Sequence, residues 1–325
     1  MTSERSGDLS GLHVALVARF GDERVGSNVP LGPFTTFKVG GPADLFVEPR
    51  SSDETVDVLR LAATHAVPVT ILGGGSNVLV ADAGVRGLVV RQRGGHIGRL
   101  DANRVRADAA VTVNGLVRWL VGHGLAGLEA WAGTPGTVGG GIYGNAHWGG
   151  RLLSEFIESV RLARLGAAAV FDLPVSEMGF GYDRSRLQRS GEVALSAVFV
   201  VREGKPEVLR ETARASLAYR KRTQPLASPS AGCIFQNPGP TVNIPDGIPR
   251  SAGALVDRAG LKDFRIGGAI VSPTHGNFIV NTGTATATEI RRLIERCRAV
   301  VRDRFGVTLE DEIVYLGQFE PESEA

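Results

Sequence analysis

Apolar residues recur along this chain at two periods, and the switches between them mark out its elements. After a polar start, Leu12, Val14, Leu16 and Val17 form a short apolar stretch. The run Pro33 to Asp44 predicts a short strand that enters a Gly-Gly-Pro turn and leaves through Leu45-Phe46-Val47. Ser51 and Glu54 stand three apart, as in a capping box, and Val56, Leu59 and Ala63 follow at helical spacing. Val67 to Leu72 predicts a strand with Pro68 near its start, where proline is tolerated. Val78 to Val80 and Gly87 to Val90 are further strand-like runs. Alternation from Arg104 to Val113 predicts another strand, and Leu116, Trp119 and Leu120 a helix face that stops at Gly124. Val160 to Phe171 and Val193 to Val201 read as strands, Lys205 to Tyr219 and Ser251 to Ala259 as helices. Ile266 to Val271 and Phe278 to Val280 are strand-like. Thr286 and Glu289 form a second capping box before a helix face of Ile290, Leu293, Ile294, Cys297 and Val301, which makes Cys297 a packing residue. Leu309 to Leu316 reads as a closing strand carrying Glu310, Asp311 and Glu312. This alternation suits α+β or α/β layering.

Composition narrows the class. The chain has 325 residues, enough for two or three domains, with 43% hydrophobic and 22% charged residues, an ordinary globular balance. A net charge of +2 gives no ground for a nucleic-acid partner. Two cysteines exclude a disulfide framework. The polar stretch Met1 to Gly11 lacks the apolar core of a signal peptide, and no apolar run approaches a membrane span. A cytoplasmic protein is expected, with no membrane partner. Forty-three glycines are nearly twice the usual share of about 7%.

Those glycines gather where chemistry can use bare backbone. Gly73-Gly74-Gly75-Ser76-Asn77 follows a predicted strand, and such a loop can wrap a diphosphate with backbone N–H groups; a flexible hairpin is the alternative. The tract Gly133 to Ala146 is denser, with Gly136, Thr137, Gly139 and Gly140 at its centre. Gly139, Gly141 and Gly144 match G-x-G-x-x-G, but Thr-Pro-Gly-Thr-Val precedes them instead of an apolar strand, so a Rossmann site is rejected. No P-loop motif occurs. Two glycine loops about 60 residues apart suggest one extended dinucleotide held outside a Rossmann frame. A third loop, Ser230-Ala231-Gly232-Cys233-Ile234-Phe235-Gln236-Asn237-Pro238, places a thiol among turn formers, which suits presentation more than burial. A protonated thiol can deliver a proton to a carbanion; packing is the alternative. Upstream stand Arg220, Lys221, Arg222 and Gln224.

Taken in order, these stretches resemble the UDP-N-acetylenolpyruvoylglucosamine reductases, over about Pro33 to Gly317. The carriers are Thr36-Phe37-Lys38-Val39-Gly40-Gly41, the 73–77 loop, Gly136-Thr137-Val138-Gly139-Gly140, the Cys233 loop, His275-Gly276-Asn277-Phe278-Ile279-Val280-Asn281 and the Glu312 stretch. The short spacing after Tyr182 is like the subclass without an extra substrate-covering loop. The resemblance implies an α+β chain: a vanillyl-alcohol-oxidase-like two-subdomain FAD-binding domain over 33–203 and a smaller α+β substrate domain over 204–317; an N-terminal segment, 1–32, precedes them, and the acidic tail 318–325 is expected to be disordered. The resemblance also implies non-covalent FAD held by the two glycine loops, NADPH as co-substrate, a UDP-sugar substrate, no metal and a monomer. In that family hydride passes from the flavin to the vinyl carbon of an enolpyruvyl ether, and a proton must then reach the neighbouring carbon. Cys233 falls where the family usually carries the proton-donating serine, and Glu312 where it carries a glutamate that works with an arginine. Arg220, Arg222 and Gln224, with Tyr182, Asn237 and His275, suit the substrate's acidic groups; a solvated basic turn is the alternative for the arginines.

One stretch departs from the family. Its pattern is Tyr-Arg-x-Ser, the arginine meeting the enolpyruvyl carboxylate, whereas this chain reads Tyr182-Asp183-Arg184-Ser185. A backbone shift by a turn or bulge would let Arg184 supply the charge, with Asp183 turned to solvent and Arg186 as the fallback. Two further classes fit parts of the pattern: another FAD-dependent oxidoreductase of the same fold, and a non-catalytic nucleotide-sugar binding protein.

Overall fold

The computed structural model describes residues 7–167 and 169–319. The polar start 1–6 and the tail from 320 onward lie outside the described residues. Packing divides the chain into two units that interleave along the sequence: 1–29, 43–74 and 86–218 form unit 1, and 30–42, 75–85 and 219–325 form unit 2.

Unit 1 is built on two sheets. One has the strand order Val25–Pro30, Pro42–Val47, Val85–Arg91, Val69–Leu72, with the last two parallel. The other is antiparallel, in the order Val170–Pro174, Ile157–Arg164, Glu192–Val200, Arg104–Asp108, Ile97–Arg99. The helix Ser52–Thr64 serves both. Its Val58 and Ala62 join Leu12, Leu16, Leu45 and Leu88 in one core, while Val56 and Leu59 pack with Ala163, Val193 and Leu195 of the second sheet. The helix Val113–Gly122 turns Leu116, Val117 and Leu120 into the larger core around Trp131 and Phe199.

Unit 2 wraps the helices Ala252–Arg258 and Ala287–Phe305 around a small antiparallel sheet, Arg265–Ile266, Ala269–Val271, Ile279–Asn281. Val78–Val80 pairs in parallel with Val314–Leu316. Among the described residues no helix is long and apolar enough to cross a membrane.

Most predicted elements are present; each exception traces to particular contacts or backbone angles. The strand expected in Pro33–Val39 is absent, because Lys38 and Gly40 take φ of +60° and +132° and Thr35 Oγ1 donates to the Gly32 or the Val39 carbonyl. The first strand is instead Val25–Pro30. Val160 to Phe171 is not one strand but the two arms of a hairpin, turned near Gly166 at φ +82°. Ile266 to Val271 folds back likewise at Gly267. The closing strand is only Val314–Leu316, so Glu312 precedes it. Ser51 caps its helix by accepting from Glu54 N–H, yet the box does not close: the Glu54 carboxylate pairs with Arg24 and accepts from Arg50 N–H. The Thr286–Glu289 box closes on both sides. Cys297 is 1% exposed on its helix, as expected of packing.

Candidate active site

In unit 1 the two glycine tracts meet. A Cβ on Gly74 would stand 2.8 Å from Cα of Gly136, and one on Gly73 2.7 Å from Oγ1 of Thr137. Gly136 itself sits at φ +92°, a conformation that side chains resist. Thr137 then caps a short helix, Val138–Tyr143, its Oγ1 accepting from Gly140 N–H at 3.3 Å. Sequence read only a loop here, since three consecutive glycines argue against a helix. Gly139 is in close contact as well, its Cβ position 3.0 Å from the Ala109 methyl, whereas at Gly140 the nearest neighbour is at 3.5 Å. With no side chains at 73, 74, 136, 139 and 140, bare backbone is what a ligand would meet.

The same unit carries the turn after Phe180. Gly181 and Arg184 exchange backbone hydrogen bonds, and Asp183 lies at φ +51°. The chain thus turns tightly, and Arg184 comes to the exposed side with its guanidinium folded over Gly181. Asp183 does not face solvent, as the sequence suggested it would. Its side chain is 9% exposed, and Oδ1 lies 3.1 Å from Nδ1 of His147. Arg186, the expected fallback, is committed elsewhere: its Nε and Nη2 donate to both oxygens of buried Glu192 at 2.8 and 2.9 Å. Tyr182 is half exposed and packs on the His147 ring at 4.7 Å between centroids. His147 drew no attention in the sequence because its partner is 36 residues away.

In unit 2 the Cys233 loop is held by backbone and amide bonds on both sides. Asn277, 3% exposed, accepts from Phe235 N–H at 2.9 Å and donates to the Phe235 carbonyl at 2.7 Å. Its own carbonyl accepts from Ile234 N–H. On the other side Glu312 N–H donates to the Ile234 carbonyl at 2.8 Å, and Gln236 N–H to that of Glu310. Cys233 and Glu312, 79 positions apart, therefore belong to one hydrogen-bonded cluster. Asn77 joins it, its Nδ2 donating to the Glu312 carbonyl at 3.0 Å. Gly75 closes against Thr36, whose N–H donates to its carbonyl at 2.9 Å, and Ser76 follows it in the chain, before Asn77. Ala231, Ile234 and Phe235 anchor the loop in the core, and Gly232 at φ +81° leaves Cys233 partly exposed.

Arg220, at the end of the helix Pro206–Thr223, is 5% exposed and interacts with Cys233. Burial pulls its guanidinium down to about 10, while the negative charge of a Cys233 thiolate works to raise it, so Arg220 is a cation at neutral pH. Arg222 is exposed, its guanidinium 5.5 Å from the Tyr219 ring. Gln224 is half-buried and donates its N–H to the Arg220 carbonyl. Asn237 acts as a helix cap, Oδ1 accepting from Ala252 N–H at 3.0 Å. His275 accepts from Asn277 N–H through Nδ1 at 3.2 Å; burial first, then nearby Lys262, lower its proton affinity.

Comparison with known proteins places the chain in a family. Residues 43–166 match the family model described as "FAD binding domain", and 224–316 match "UDP-N-acetylenolpyruvoylglucosamine reductase, C-terminal domain". The chain is 40% identical over 294 residues to the UDP-N-acetylenolpyruvoylglucosamine reductase of Parasynechococcus marenigrum, covering 90% of this chain and 95% of that one. It is 37% identical to the Bacillus subtilis protein of the same name, covering 90% and 94%. A solved structure, the UDP-N-acetylenolpyruvylglucosamine reductase from Thermus caldophilus, superposes with a TM-score of 0.74 at 33% identity, covering 89% of this chain and 98% of that one.

Proposed function

Because this chain belongs to the UDP-N-acetylenolpyruvoylglucosamine reductase family, we propose that it reduces the enolpyruvyl ether of UDP-N-acetylglucosamine enolpyruvate to UDP-N-acetylmuramate, with FAD as cofactor and NADPH as reductant. The product is a peptidoglycan precursor. The observation that carries the cofactor assignment is the closure of the two glycine tracts on each other in unit 1, where a Cβ at Gly73 or Gly74 has no room. Such a surface fits a diphosphate, whose oxygens need many N–H donors at close range. The tracts 73–77 and 136–140 would hold the FAD without a covalent bond. When bound, the flavin supplies the hydride.

The chain's own residues handle charge and protons. Cys233 Sγ donates a proton to the carbon next to the one that receives hydride. Donation leaves a thiolate, and the buried Arg220 guanidinium stabilises it. Arg220 is thereby oriented before the reaction and needs no rearrangement during it. Glu312 is held by its backbone to the same loop and stands as the acidic partner. Arg222, Gln224, Asn237, His275, Tyr182 and Arg184 are the proposed contacts to the nucleotide sugar. Residues 33–203 are proposed as the flavin-binding domain and 204–317 as the substrate domain. The protein is read as a cytoplasmic monomer without a membrane partner, and its net charge of +2 gives no ground for a nucleic-acid partner.

The test is spectroscopic. The purified protein should be yellow, bleach under anaerobic NADPH, and regain its colour on addition of the enolpyruvyl sugar. Bleaching without recovery would point to another flavin oxidoreductase, and a protein that takes up no FAD would overturn the reading.

A further inference from the structure

We infer that His147, held as an imidazolium by Asp183, is the cation that meets the enolpyruvyl carboxylate of the substrate; this rests on the reductase reading above. The sequence leaves a carboxylate, Asp183, where a cation was expected, and the structure shows what that carboxylate does. It is nine-tenths buried, it faces Nδ1 of His147 at 3.1 Å through Oδ1, and its Oδ2 is buried without a hydrogen-bond donor among the described residues. A buried carboxylate with so little compensation is costly unless a full positive charge stands beside it. A protonated imidazole is the cation that the geometry places there.

The orientation follows from the same contacts. With Nδ1–H donated to Asp183, the second ring nitrogen, Nε2, is turned away from the carboxylate and toward the exposed Tyr182, whose Oη lies 3.5 Å away. The tyrosine ring packs against the imidazole, tilted by 35° with centroids 4.7 Å apart, and limits its rotation. Asp183 is a positioning residue, since it acts only through His147.

The pair is anchored to the segment that follows the flavin tract. Asn145, fully buried at φ +45°, donates Nδ2 to the Gly181 carbonyl at 2.8 Å, and Ser185 Oγ donates to the Tyr143 carbonyl at 2.8 Å. His147 and Asp183 are therefore fixed to the end of the helix Val138–Tyr143, which opens within the glycine tract. Arg184 also carries charge in this turn, but it is exposed and folded over Gly181.

Two ligands separate the alternatives: the enolpyruvyl sugar nucleotide, and UDP-N-acetylglucosamine, which lacks the carboxylate. Titrated calorimetrically into the oxidised holoenzyme, His147→Gln should weaken the first about 10- to 100-fold, as for loss of a charge-assisted bond, and leave the second within about twofold. Asp183→Asn should do the same to a smaller extent, and His147→Arg should restore most of the affinity. Arg184→Ala should affect both ligands alike. Equal losses for both ligands in His147→Gln, or no loss for either, would overturn the inference; so would a loss confined to the carboxylate ligand in Arg184→Ala. Flavin content and melting temperature of each variant report folding, and if His147→Gln fails to fold, the near-isosteric Asp183→Asn decides the matter. If wild-type protein reduced by NADPH is not reoxidised by the enolpyruvyl sugar, the reductase reading itself falls, whatever the variants bind.

Discussion

The glycine tracts of unit 1 and the cysteine loop of unit 2 reach their purposes by opposite means. Where Gly74 meets Gly136 the chain works by having nothing beyond Cα: the two backbones approach so closely that a methyl group on Gly74 would collide. At 230–238 it works through side chains: Asn277 holds Phe235, Arg220 stands against Cys233, and the apolar pair Ile234-Phe235 fixes the loop in a core. A site of the first kind fails through sterics, with loss of packing and cofactor together. A site of the second kind can lose its chemistry while the fold and the cofactor stay intact.

The largest effect should come from Cys233→Ala. Reduction by NADPH should proceed normally, while stopped-flow reoxidation by the enolpyruvyl sugar should slow by about 10²–10⁴-fold, the range for loss of a general acid. Cys233→Ser should keep much of the rate. Normal turnover by Cys233→Ala would make the thiol a packing group and erase the contrast.

Asn277→Ala should come next, and it tests the scaffold of that loop. It strands a buried N–H and a buried carbonyl of Phe235, which should cost about 3 kcal/mol in urea unfolding. A loss below about 1 kcal/mol would mean that the loop does not depend on this amide.

The glycine tract offers an internal contrast. Gly74→Ala must displace the Gly136 backbone and should cost about 1–3 kcal/mol even without flavin. Gly140→Ala meets its nearest atom at 3.5 Å, so the apoprotein should melt normally and only FAD retention should fall. Equal behaviour of the two variants in the apoprotein would contradict the close packing of Gly74 on Gly136.

The smallest effect separates the two cysteines. Burial pushes the Cys297 thiol up to about 12 from an ordinary value of 9.0. The folded state therefore holds its proton where the unfolded chain releases it. This contribution to stability is complete below pH 9 and is lost as pH rises from about 9 toward 12. Iodoacetamide at pH 8 should label Cys233 in the native protein and leave Cys297 unlabelled until denaturant is added.

Periodicity and caps made the long elements legible. The helix Ala287–Phe305 shows both its face and its box in sequence, because each signal spans only three or four residues. The same locality explains the failures. Whether Glu54 closes its box depended on Arg24, 30 positions away, and the hairpins at Gly166 and Gly267 depended on how their arms pair. Within the site, residue types and order identified the glycine tracts, Cys233 and the family, since these motifs are contiguous. Tertiary structure alone decided that the tracts touch, that Glu312 is bonded to the Cys233 loop, and that Asp183 turns inward to His147. Each of those outcomes depends on a contact between residues 36 or more positions apart, where local preference carries no information and packing and hydrogen-bond satisfaction choose the partner.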